Sequence, residues 1–185
     1  MIAFTALKDQ ICPTADDGRD YKYVRIKTYN GKYFYAEPRD DGDVKTRCCG
    51  VKDVVGRADV TVPTVRSTFK VHCNQVVGEH RPVVLFEVLE DYSNEPSGKY
   101  LYARSESTKP LMVVNNPNFN WAGVNFVLER WKAGTQAGIM TLGRRTWLGF
   151  YEDGDGEINV HRYPVSQHPV PDLQQRYLIE ISKLI

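Results

Sequence analysis

Net charge is what this chain has least of, with 24 lysines and arginines against 23 acidic residues. That balance leaves no broad cationic face, which excludes nucleic acid and anionic lipid as natural partners. Long hydrophobic runs are missing too, so no membrane span is expected. The start, Met1 to Asp9, lacks the basic start and the apolar stretch of a signal peptide. A cytoplasmic protein is expected, or one that leaves the cell by a non-classical route.

Cysteine is sparse and unpatterned. Cys12, Cys48, Cys49 and Cys73 form no C-x-x-C pair, and adjacent Cys48 and Cys49 could close only a strained ring. All four are read as free thiols, and Cys73 beside His72 as a buried structural thiol rather than a nucleophile. His72, His80, His161 and His168 stand at no metal-ligand spacing from the cysteines. No N-x-S/T sequon, nucleophile elbow, P-loop or dinucleotide fingerprint occurs. No enzyme activity, cofactor or metal is therefore expected. Asp153 to Ile158 matches part of a calcium loop, but Tyr151 and Arg162 stand where its terminal carboxylates belong. Its Asp-Gly steps are read as a hairpin turn.

Aromatic residues, valine, and well-spread glycine and proline are abundant, which favours short strands joined by tight turns. The informative feature is repetition. Gly98-Lys99-Tyr100-Leu101-Tyr102-Ala103 is written a second time as Gly31-Lys32-Tyr33-Phe34-Tyr35-Ala36, and is echoed at Arg145-Thr146-Trp147-Leu148-Gly149-Phe150. In each unit a strand precedes this motif: alternating over Tyr23 to Tyr29, near-continuously apolar over Val83 to Leu89, and short over Ile139 to Leu142. The first ends in Asn30-Gly31, a dipeptide that tolerates positive φ at both central positions of a hairpin. Each unit closes on a strand with an aromatic at its start: Phe69-Lys70-Val71, Phe126 to Glu129, and Tyr177 to Ile181. Short apolar segments, at Val44, Leu111 to Val114 and Ile158 to Val160, complete four strands per unit. Loops are expected at 46–66, 114–124 and 162–175.

The chain is thus read as all-β, with an extended lead-in over 1–20 and a single domain over 21–185. Its twelve strands fall into three pseudo-repeats of about 21–77, 78–133 and 134–185, forming a closed barrel with a hairpin cap. Tyr33, Tyr100 and Trp147 are expected in the barrel interior, and Lys32, Lys99 and Thr146 at the surface. Arg144-Arg145 reads as a solvated turn. The strand, Gly-Lys-Tyr return and distal Phe-x-Leu/Val-Glu strand resemble the β-trefoil fold, in particular its fascin-like, actin-crosslinking branch. The resemblance covers about 21–182 and departs in unit three. It implies a binding protein, with actin or another protein as partner, and wider trefoils add lectins and protease inhibitors.

The most unusual local composition is Val114-Asn115-Asn116-Pro117-Asn118-Phe119-Asn120-Trp121. Amides that donate and accept, interleaved with aromatic rings, suit sugar hydroxyls and the apolar face of a pyranose. Asn116, Asn118, Asn120 and Trp121, with Asp91, Tyr92 and Asn94 of the neighbouring hairpin loop, are the candidate ligand-binding residues. An Asn-Pro turn with Phe119 or Trp121 plugging the barrel is the structural alternative. The leading expectation is a lectin-like, non-catalytic carbohydrate-binding module, with oligomerisation left open. Its rivals are a fascin-like protein-interaction module and an inhibitor presenting loop 46–66 or 162–175 to a protease.

Overall fold

The computed structural model describes residues 11–12, 23–38, 51–60, 67–89, 96–103, 111–130, 136–143, 145–150, 158–160, 165–167 and 169–182. Among the described residues twelve strands run in chain order: β1 Tyr23–Thr28, β2 Tyr33–Pro38, β3 Val51–Val60, β4 Phe69–Asn74, β5 Val83–Leu89, β6 Pro96–Tyr102, β7 Met112–Asn115, β8 Phe126–Arg130, β9 Gln136–Thr141, β10 Leu148–Phe150, β11 Ile158–Val160 and β12 Arg176–Ser182. β1, β4, β5, β8, β9 and β12 pair in that order, and β12 returns to β1, closing a ring. Closure leaves none of these six with an open edge. β2, β3, β7 and β6 form a second layer beside the ring, and β10 pairs with β11. Three four-strand units around one ring are the β-trefoil arrangement. Among the described residues, no helix is long and apolar enough to cross a membrane.

The first and last strands of each unit build the ring because each carries an apolar residue at every second position. β1 alternates half-buried and buried residues along its length, and Val24, Ile26, Phe69, Val71, Ile139 and Ile179 enter one core. β5 is buried at every position. On the three returns, Phe34, Leu101 and Leu148 take equivalent positions in this core, and Ala103 joins them in unit two. Tyr33, Tyr100 and Trp147 are buried as well, at 7%, 6% and 0% exposure. Tyr100 and Trp147, however, anchor separate clusters outside the main core. The returns are apolar on both faces, so periodicity could not say which face meets the axis. Thr146 is buried and exchanges a hydroxyl contact of 3.1 Å with Thr141, so it is no surface residue.

The turns differ from expectation in an instructive way. In unit one the Gly31 N–H donates to the Thr28 carbonyl at 3.1 Å and the Thr28 N–H to the Lys32 carbonyl at 2.7 Å. Gly31 alone of the Asn30-Gly31 pair is left-handed, with φ 84°. Asn30 works through its side chain, accepting from the Thr28 hydroxyl. This is the three-residue hairpin with a bulge glycine, not the two-residue one. Gly98 and Arg145, the corresponding residues of the other units, are also left-handed, with φ 73° and 55°.

One expected loop, a cysteine assignment and the lead-in are corrected. Ten residues of the stretch read as loop 46–66 are strand β3, while Val44, read as that unit's short strand, lies outside the described residues. Cys12 and Cys73 are not free thiols. They form a disulfide with Cα atoms 5.7 Å apart, and Cys73 sits in an exposed position at the end of β4. Ile11, from the segment read as a lead-in, is 2% exposed and belongs to the main core. Cys48, Cys49 and the Asp-Gly turn at 153–157 lie outside the described residues.

Candidate ligand-binding site

The candidate site is built on the outer face of unit two. β4 turns Lys70, His72 and Asn74 away from the main core, and β5 places Glu87 beside them. His72 Nε2 lies 2.6 Å from Glu87 Oε1, and the Gly98 N–H donates to Glu87 Oε2 at 2.8 Å. These contacts satisfy the carboxyl group of a residue that is only 4% exposed, as burial of a polar group requires. The Tyr100 hydroxyl stands 3.4 Å from the same imidazole nitrogen. Tyr100 packs with Leu85, Val114 and Val124, so the polar group rests on an apolar base.

The asparagine loop closes over this base. Asn116 is left-handed at φ 42°, and its N–H donates to the Gly98 carbonyl at 2.7 Å. A side chain at Gly98 would meet Asn116 Oδ1 at 2.6 Å, so this close approach depends on glycine. Asn118 Oδ1 accepts from the Asn120 N–H at 2.9 Å, and the Asn118 carbonyl accepts from the Trp121 N–H at 3.0 Å. From below, buried Asn125 donates to the carbonyls of Phe119 at 2.8 Å and Trp121 at 2.7 Å. Asn74 donates to Asn125 Oδ1 and to the Phe119 carbonyl. The Phe119 ring lies edge-on to Tyr100 and His72, with centroids 5.2 Å and 5.6 Å away.

What this scaffold presents is a pair of rings among amides. Phe119 and Trp121 are each 40% exposed, and Asn116, Asn118 and Asn120 are exposed around them. Neither ring plugs the strand ring. The structure therefore brings together four of the seven candidate residues, while Asp91, Tyr92 and Asn94 lie outside the described residues. Phe119, His72, Glu87, Asn74 and Asn125 were not among those candidates. Asn125 had a signal: it immediately precedes the aromatic that opens the closing strand, a position held by Thr68 and Arg176 in the other units. Arg176 does similar work there, its Nε donating to the Pro171 carbonyl at 2.9 Å.

A second polar cluster joins units two and three. Glu79 accepts from Arg81 Nε at 2.7 Å and from Arg145 at 2.6 Å, and Arg81 also reaches Glu129. Hydrogen bonding from Arg81 holds the Glu79 carboxyl well below the usual carboxylate range, overriding burial, with Arg145 adding to it. The same Glu79 contact raises Arg81. Arg145 is thus tied into an ion cluster rather than being a solvated tip, and Arg144 lies outside the described residues. Burial, then a hydrogen bond to Glu180, pushes the Tyr33 hydroxyl up. Cys73 is committed to its disulfide and offers no thiol nucleophile. Among the described residues, no three His, Cys, Asp or Glu side chains group as metal ligands would.

No family model matches the chain, and no curated protein matches it. Solved structures do. The apo BEL β-trefoil superposes with a TM-score of 0.60 at 12% identity, over 87% of this chain and 93% of that one. A salivary protein from Culex quiquefasciatus, of the cysteine and tryptophan-rich family, gives 0.58 at 11% identity, covering 88% and 95%. The designed threefold-symmetric protein ThreeFoil gives 0.53 at 12% identity, covering 86% and 99%. At such identities the likeness is one of fold, and it carries no narrower branch of it: the chain is a β-trefoil.

Proposed function

We propose that this trefoil is a non-catalytic carbohydrate-binding module whose site is the asparagine loop of unit two. The observation that carries the reading is the braced, half-exposed pair Phe119 and Trp121 flanked by exposed Asn116, Asn118 and Asn120. Ring faces stack on the apolar face of a pyranose, and primary amides donate to and accept from its hydroxyls. The brace adds to this by fixing the loop before a ligand arrives, which lowers the ordering cost of binding. A Polyporus squamosus lectin solved with a sialylated glycan shares the fold, with a TM-score of 0.57 at 8% identity over 88% of this chain and 50% of that one.

A glycan array followed by titration calorimetry on the hits tests the proposal. Trp121→Ala and Phe119→Ala should each weaken binding about tenfold, the loss of roughly 1.4 kcal/mol of stacking. Circular dichroism should remain unchanged. A blank array, or variants that bind as tightly as the parent, would overturn it.

A further inference from the structure

The disulfide between Cys12 and Cys73 spans 61 residues of sequence and ties a segment outside the three units to the end of β4. Its two halves differ in surroundings, Cys73 standing exposed while Cys12 packs partly buried against the main core. Cys73 Sγ lies 3.3 Å from the Ile11 carbonyl oxygen. The neighbouring Ile11 side chain completes a core that the three units otherwise supply by themselves. Burying one isoleucine gains little more than it costs to fix one or two residues of backbone. The position of Ile11 therefore depends on the covalent tie.

We propose that the Cys12–Cys73 bond is a thiol-exchange site, and that a small-molecule or protein thiol opening it releases Ile11 from the core. The incoming thiolate attacks the sulfur of exposed Cys73, forming a mixed disulfide and expelling Cys12 as a thiolate that takes a proton from water. A second thiol resolves the mixed disulfide. The two reagent sulfurs end joined, oxidised by the electron pair they give up, and both cysteines end as thiols. The bond stays closed in oxidising surroundings and opens in reducing ones. Opening leaves an apolar gap in the core beside the strand that carries His72, on which Phe119 rests.

The full chain, purified without reductant, is treated with reduced glutathione in one arm and with reduced thioredoxin in another. Alkylation trapping is read by mass spectrometry alongside hydrogen exchange. Cys12 and Cys73 should become alkylated together in at least one arm, and opening by thioredoxin alone would identify a protein thiol as the reagent. Exchange over residues 11–12 should then rise at least tenfold while β5 and β8 keep their protection. Cys12→Ser should show the same exchange pattern without any thiol. The proposal is overturned if neither thiol opens the bond, or if opening leaves exchange at Ile11 unchanged. It is equally overturned if opening unfolds β5 and β8 together with the segment, since the bond would then be a global staple.

Discussion

Units two and three share one backbone plan and put opposite chemistry on it. At unit two, His72 of the preceding unit's closing strand pairs across from Leu85, and Glu87 from Tyr100. At unit three the corresponding pairs are Glu129, from unit two's closing strand, with Gly138, and Met140 with Trp147. Exchanging leucine for glycine opens the space that the indole fills: a Cβ on Gly138 would lie 2.4 Å from the Trp147 ring. Trp147 is fully buried among Val83, Val127 and Met140, with Leu142 and Val165 against them. Unit two keeps a polar group at the same level and lays Phe119 over it. Unit one takes a third course, with Lys27 Nζ 5.5 Å from the Tyr33 ring centroid. Four positions thus separate the apolar lock of unit three from the shelf of unit two that can carry a ligand.

The largest expected effect separates those two roles. Trp147→Ala removes a fully buried indole and should cost about 3–5 kcal/mol in denaturant unfolding. Glycan binding by the molecules that remain folded should be unaffected. Phe119→Ala should do the reverse, costing little stability and most of the affinity. If Trp147→Ala abolished binding well below its melting temperature, the division of labour between the units would be wrong.

Gly138→Ala probes the same lock from the other side. The added methyl meets a ring that cannot yield, so overpacking of about 1–3 kcal/mol is expected. Combining it with Trp147→Phe, which shrinks the ring, should recover part of that loss. A double-mutant cycle reads the coupling, and strict additivity would show that the contact does not matter.

Much of this architecture was legible in the sequence, and what was hidden was hidden for physical reasons. The closing strands and returns announce themselves through alternation and the Gly-Lys-Tyr motif. β3 does not, because Lys52, Asp53, Gly56, Arg57 and Asp59 interrupt any period of two, and its pairing with both neighbours shifts register. The disulfide joins residues that only the folded ring brings together. At the site, the exposed asparagines stood out by composition. Asn125 lies outside that stretch and was marked only by its place before Phe126; it is 1% exposed and spends its amide on the loop's own carbonyls. His72 and Glu87 lie on strands of different units, and no local pattern links them.

Acid should act on unit three's turn through the ion cluster. Because the folded-state pKa of Glu79 is depressed, its contribution to stability is complete above the ordinary carboxyl range of about 4–5. It drains away as the pH falls from there toward the folded value. Glu79→Gln should therefore flatten the dependence of the urea midpoint on pH between about 2 and 5. A parallel curve for the variant would remove the cluster from the account.

The smallest effect is the most discriminating, because two opposed terms meet at one residue. Arg145 occupies the left-handed slot that Gly31 and Gly98 hold in the other units, at φ 55°. Arg145→Gly relieves a conformational cost of about 1 kcal/mol and gives up a partly exposed ion pair worth about 0–1 kcal/mol. Glu79 keeps Arg81 as a partner. The net change should lie within about 1 kcal/mol of zero, on the stabilising side. Gly98→Ala has no such compensation. It adds left-handed strain and a methyl 2.6 Å from Asn116 Oδ1, so it should destabilise and disturb the asparagine loop. If Arg145→Gly proved the costlier of the two, the ion pair rather than the turn would be what holds unit three's departure from the glycine motif in place.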